Sequence, residues 1–176
     1  IDKTGRPIRT GVEPSANGTL VCPDMTGATN WYSPSYNPST GLLYFMAHEN
    51  CQMYFFKPQQ FTPGRDFYAT GVKHAPDEYG QKILLAYNPK TNQFTWRYPQ
   101  VGAARSWGGT MTSAGGLVFF GNDSEAFEAV DAQTGVSLWH FNTGQSMHAS
   151  PMSYAVNGKQ YVAIASGSDV FTFALP

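Results

Sequence analysis

Apolar residues along this chain gather in short runs and do not recur every three or four positions. Leu42 to Met46, Ile83 to Tyr87, Leu117 to Phe120 and Tyr161 to Ala165 are aromatic or aliphatic, and each is bounded by Gly, Pro, Asn or Ser. Runs of that length and flanking are strand signals. No sustained period of 3.6 residues flanked by caps occurs, so no helix is predicted. The pattern predicts an all-β protein.

The strands repeat. Ala86 to Trp96 lines up with Ala129 to Trp139 at an offset of 43 residues, in the shared frame Ala-x-Asn/Asp-x-x-Thr-Asn/Gly-x-x-x-Trp. Asn or Asp opens a turn by bonding its own backbone, Asn or Gly accepts a positive φ, and the second strand carries a Trp. A second unit, strand then Gly-containing turn then aromatic strand, starts at Ser35, Thr110 and Ser150. Two alternating hairpins make four-stranded modules, the signature of a β-propeller blade. The reading places the end of a preceding blade and a connection at 1–29. One blade follows at 30–98, enlarged by a loop-like insertion at 48–80, and a second at 107–143. The first half of a closing blade, two strands long, takes 148–176. A propeller needs at least four blades, so the chain is expected to be the C-terminal part of a larger ring or to fold with another chain.

Composition narrows the picture. Charged residues are 13% of the 176 and the formal charge is −1, with no block of like charges. Nucleic acid and anionic membrane surfaces, which require a basic face, are poor partners for such a chain. No apolar run approaches the ~20 residues of a membrane-spanning helix. The first ten residues show no leader pattern and the first is Ile, which reads as a processed end or a piece of something longer.

Cys22 and Cys51 allow one intramolecular pair, and the spacing alone leaves a disulfide and two buried thiols equally open. His48, His74, His140 and His148 show no metal-ligand spacing and are read as surface or satisfied core residues. Glu49, Asn50, Asp66, Asp77 and Glu78 offer oxygen ligands but fall in the insertion, read as a solvated loop. Trp96 and Trp139 are read as packing residues that lock blades together.

The Ala-x-Asp-x-x-Thr-Gly-x-x-x-Trp hairpin resembles the tryptophan-docking repeat of the eight-bladed quinoproteins. These are the pyrroloquinoline quinone (PQQ) dependent alcohol dehydrogenases of the methanol and ethanol dehydrogenase type. Gly27-Ala28-Thr29-Asn30-Trp31, Tyr36-Asn37-Pro38, Trp107-Gly108-Gly109-Thr110 and Gly158 to Ala163 match in the same order. The resemblance runs from about residue 20 to the end and looks like the last third of such an enzyme.

It implies that Asn30 and Trp107 contact the rim of PQQ and that Trp31 lines the same pocket. PQQ is a flat, polyanionic ortho-quinone, and an Asn amide and an indole N–H are donors that do not titrate. Gly108 and Gly109 are expected to let the backbone come close to the ligand, and Arg105 is a candidate to face its charge. Cys22 and Cys51 sit where the family can carry a disulfide.

In the family, a Ca²⁺ or lanthanide ion polarises the quinone carbonyl, an Asp takes the alcohol's proton, hydride passes to the quinone, and electrons leave to a cytochrome c. The Asp base and the metal ligands lie upstream of the matched region, so this chain is expected to hold no catalytic or metal-binding residue. The resemblance further implies a periplasmic location and a small alcohol substrate. A non-catalytic propeller scaffold or assembly protein with the same docking repeats is the alternative, and Asn30-Trp31 and Trp107-Gly108-Gly109 discriminate, because blade packing requires neither.

Overall fold

A computed structural model describes residues 1–68, 70–75, 81–102 and 106–175. Among them there are strands and no helix, as the periodicity predicts, and so no helix long and apolar enough to cross a membrane. Three antiparallel sheets follow one another along the chain. The first holds β2 (Ser35–Asn37), β3 (Leu42–His48), β6 (Lys82–Asn88) and β7 (Gln93–Pro99) in that spatial order. The second holds β8 (Thr110–Thr112), β9 (Leu117–Gly121), β10 (Ala126–Asp131) and β11 (Ser137–Asn142).

The third sheet is β12 (Met152–Val156), β13 (Lys159–Ser166) and β14 (Asp169–Phe173). It has three strands, not the two expected after residue 148. Gly167, at φ +56°, lets the chain reverse after Ser166, and β14 then pairs back on β13.

The insertion is also more structured than a loop. β4 (Gln52–Phe56) pairs with β1 (Thr19–Val21) on one side and β5 (Thr70–His74) on the other, making a separate small sheet. The Cys22–Cys51 disulfide ties the end of β1 to the start of β4.

The two matched hairpins superpose in register. Ala86 pairs with Trp96 and Ala129 with Trp139, and in each ladder an irregularity falls immediately after that Ala. Their turns use the expected chemistry: Asn88 and Asp131 accept backbone N–H groups two and three residues ahead, and Asn92 and Gly135 take positive φ. β6 and β10 are buried almost throughout. A middle strand covered on both faces by neighbouring sheets carries a continuous apolar run, not alternation.

Two cores result. Tyr44, Met46 and Leu84 of the first sheet meet Val118, Phe120 and Val130 of the second. Phe127 of the second meets Met147 and Ile164 at the third, with Phe171 and Phe173 packed against them. The innermost strands are knitted by polar contacts: Ser35 Oγ lies 2.8 Å from Thr110 Oγ1, and Asn37 Nδ2 donates to Thr112 Oγ1 at 3.0 Å.

Trp96 locks the first sheet to the second, as read from the sequence. Its indole N–H donates to the Ala132 carbonyl at 3.1 Å, beside the Tyr44 hydroxyl, which donates to the same oxygen at 2.9 Å. Trp139 likewise joins the second sheet to the third, packing edge-on against Phe127 of its own sheet and Phe173 of the next, though it stays 39% exposed.

Candidate functional site

The segments leading into β2, β8 and β12 converge at one end of the sheets. Trp31, Trp107 and His148 each stand four residues ahead of Ser35, Met111 and Met152, which lie opposite Tyr44, Phe119 and Ala163 of the following strands. Tyr44 and Phe119 in turn face the matched Ala86 and Ala129, so Trp31 and Trp107 hold one repeat position by ladder register, and His148 stands at the corresponding place ahead of the third sheet. The three rings form an arc: Trp31 to Trp107 is 6.2 Å between centroids, and Trp107 to His148 is 6.3 Å with planes only 10° apart. Tyr32, buried, meets Trp107 edge-on at 6.5 Å and stacks on His48 at 5.0 Å.

Local bonds fix each ring. The turn before Trp31 uses Gly27 at φ +76°. Asn30 Oδ1 accepts the Trp31 backbone N–H, its Nδ2 donates to Thr26 O, and the His48 N–H donates to Ala28 O. The Trp107 and Gly108 N–H groups both donate to Met147 O, at 2.7 and 3.1 Å.

Gly108 and Gly109 are buried, and the close approach they permit is to the protein itself. A Cβ at Gly108 would stand 2.4 Å from Ala149 O; one at Gly109 would stand 2.5 Å from both Ser33 O and Ser150 Oγ. Their smallness draws the three lead-in segments together behind the rings, a different task from the ligand approach expected of them.

Asn30, Trp31 and Trp107 are thus brought to one place, and the structure adds Tyr32, His48 and His148. Neither histidine has metal-ligand spacing; His148 is legible through its place ahead of β12, whereas His48 reaches Tyr32 from the end of β3. Burial, with Lys82 nearby, pushes the His48 imidazole below its usual pKa, and its buried Nε2 has no hydrogen-bond partner among the described residues. Beside His148 opens a cleft of about 680 Å³ lined by Glu125, Gln145, Ser146 and Gly167 among others. Among the described residues no group of three His, Cys, Asp or Glu side chains is placed to hold a metal ion. Arg105, Asp77 and Glu78 lie outside the described residues, as does the His74 side chain.

A flat, electron-poor, anionic group fits this donor set. Trp31 is 61% exposed, neither the Trp31 nor the Trp107 indole N–H has a hydrogen-bond partner among the described residues, and Asn30 Nδ2 spends one of its two hydrogens on Thr26. Aromatic edges and faces with unspent N–H donors suit the rim and plane of such a molecule.

Known proteins point the same way. Residues 85–162 match the sequence model of the PQQ family described as glucose/ethanol/alcohol dehydrogenase, β-propeller domain. The chain is 32% identical to quinoprotein alcohol dehydrogenase PedH of Pseudomonas putida, over 95% of its own length and 29% of that protein's. It is 35% identical to quinohemoprotein alcohol dehydrogenase ADH IIB of Pseudomonas putida, over 93% of its length and 24% of the relative's. A europium-containing methanol dehydrogenase superposes with a TM-score of 0.81 at 26% identity, over 95% of this chain and 30% of that one. The chain therefore spans less than a third of the length of the relatives it matches.

Proposed function

We propose, from the premise that residues 85–162 belong to the PQQ β-propeller family and that the chain around them is similar to quinoprotein alcohol dehydrogenases, that this chain forms part of such an enzyme. The activity is oxidation of a primary alcohol to an aldehyde, with electrons passed on to a cytochrome c. When bound, PQQ supplies an ortho-quinone that accepts hydride. The cofactor set is completed by Ca²⁺ or a lanthanide ion, and a europium-containing relative supports that class. The catalytic base and metal ligands belong to the remainder of the ring, and the assembly is periplasmic. The sheets at 30–98 and 107–143 act as two blades and the one after 148 as part of a third.

Within that site this chain's residues bind and orient. The Trp107 indole and the free hydrogen of the Asn30 amide donate to the cofactor's rim, while Trp31, Tyr32 and His148 wall off water. Gly108 and Gly109 serve the pocket by closing up the backbone that carries the rings. The carrying observation is the arc of three rings, two of them indoles whose N–H groups are unspent among the described residues.

The test is to combine the chain with the rest of its ring and add PQQ with Ca²⁺ or La³⁺. Cofactor absorbance should survive gel filtration and ethanol should reduce an artificial dye. Trp107→Phe should weaken PQQ binding by about tenfold, the loss of one hydrogen bond to a charged group. Absence of retained absorbance with either metal overturns the reading and leaves a non-catalytic propeller.

A further inference from the structure

Lys82 is 7% exposed at the start of β6, on the first sheet. Its ammonium donates to the Ser106 carbonyl at 2.5 Å and to Asp123 Oδ1 at 2.7 Å. The same Asp123 oxygen accepts the Ser106 N–H at 3.1 Å. Both backbone groups of Ser106 are thus held by one buried ion pair. Its side chain is held too: Oγ donates to Asn122 O at 2.8 Å and accepts the Met147 N–H at 3.2 Å. Ser106 is fully buried, held by Lys82 of β6, by the turn between β9 and β10 and by the segment leading into β12, and immediately precedes Trp107.

Module packing does not require this pair. Lys82 lies four residues before Ala86, and the matching position before Ala129 is Glu125; Asp123 lies four residues after Phe119, and the matching position after Ala163 is Gly167. The next boundary between sheets therefore closes with no cation and no counter-charge there. Burying two charges costs more than burying an apolar pair of the same size, and the best-attested return is positional specificity.

We propose that Lys82 and Asp123 are positioning residues that fix the Trp107 ring for cofactor binding by clamping Ser106. Seen from Trp107, the pair sets the segment's height through Ser106 while the Met147 carbonyl sets its tilt. The consequence for PQQ rests on the functional reading above; the clamp itself does not.

The test uses Lys82→Met and the isosteric Asp123→Asn in the full chain. Amide hydrogen exchange and the indole Nε1–H resonance of Trp107 are followed without cofactor, and PQQ affinity is measured in the assembled protein. Both variants should speed exchange at Trp107 and Gly108 by roughly tenfold and shift the indole resonance, with β9 and β10 amides unchanged. PQQ binding should weaken by roughly tenfold, as when a supporting partner behind a ligand-contacting residue is lost. Unchanged Trp107 exchange and resonance in Asp123→Asn overturn the proposal, and that variant decides the matter if Lys82→Met does not fold. A loosened Trp107 with undiminished PQQ affinity overturns it equally. A wild-type protein that binds no PQQ overturns the functional reading instead, and the exchange data then decide whether the clamp exists.

Discussion

The ring of Trp96 lies directly over Gly135: a methyl group at that glycine would stand 2.7 Å from the indole. The contact joins the outer strand of one sheet to a turn of the next, and Gly135 also holds a φ of +73° that L side chains rarely adopt.

Gly135→Ala should therefore cost roughly 2–4 kcal/mol, combining left-handed strain with overpacking. Trp96→Phe should cost about 1–2 kcal/mol, through the lost indole hydrogen bond and the lost ring area, while the Ala132 carbonyl still accepts from the Tyr44 hydroxyl. Urea unfolding of the three proteins checks both values. A Gly135→Ala protein as stable as wild type would show that the indole does not dock there.

Opening the Cys22–Cys51 bridge should act locally. The disulfide closes a loop across a sequence separation of 29 residues, for which the chain-entropy relation gives about 3.6 kcal/mol. Cys22→Ser with Cys51→Ser should raise amide exchange in β1 and β4 while β9 and β10 keep their protection. Equal loss of protection in both regions would refute an independent small sheet.

Stability should fall in acid through His48. Burial chiefly, then Lys82, lowers its pKa below 6.5 in the folded chain, against the partial opposition of Asp123 and Asp24. The unfolded chain thus takes up the proton first, and stability declines as pH drops below about 6.5. His48→Phe keeps a ring against Tyr32 without the titration. Its melting midpoint should change less between pH 7 and 5 than that of wild type, and identical slopes would exclude His48 as the cause.

At the alkaline end the residue to watch is Tyr98. Burial first, and then its hydrogen bond to Glu128 at 2.6 Å, push the phenol up to about 12. Unfolded tyrosine ionises near 10, so the stability it contributes is intact below pH 10 and lost as pH rises toward 12. Burial also raises Tyr32, Tyr44 and Tyr54, so spectrophotometric titration should show a late tyrosinate fraction that shrinks in Tyr98→Phe. Glu128, buried, also accepts from Ser137 Oγ and Asn122 Nδ2. Glu128→Gln, which sets an amide against these donors, should cost about 1–3 kcal/mol by thermal melting.

What the sequence made legible was local chemistry. The repeated hairpins could be read because Asn88, Asp131, Asn92 and Gly135 fix their turns within a few residues of themselves. The third strand of the last sheet was also within reach, since Asp169–Phe173 alternates in burial behind Gly167, but two hairpins alone gave no reason to extend it. The small sheet was not legible, because β1 and β4 are held by a disulfide and by pairing across more than 30 intervening positions. Lys82 heads the apolar run of β6. Only folding brings it to Asp123, 41 residues later, and nothing in either local sequence announces the meeting. His148 reads as a surface or satisfied core residue by its spacing from the other histidines, whereas its meaning lies in its register with Trp31 and Trp107.

The shared position of Trp31, Trp107 and His148 has a consequence for how such a site can change. Each ring hangs from its own sheet while the backbones behind them interlock, so a substitution at one repeats nothing at the others. The wall can be refitted panel by panel. Exchanging His148 alone would alter polarity on one side and leave the two indoles where they are, giving a lineage a way to adjust what the opening admits without rebuilding what supports it.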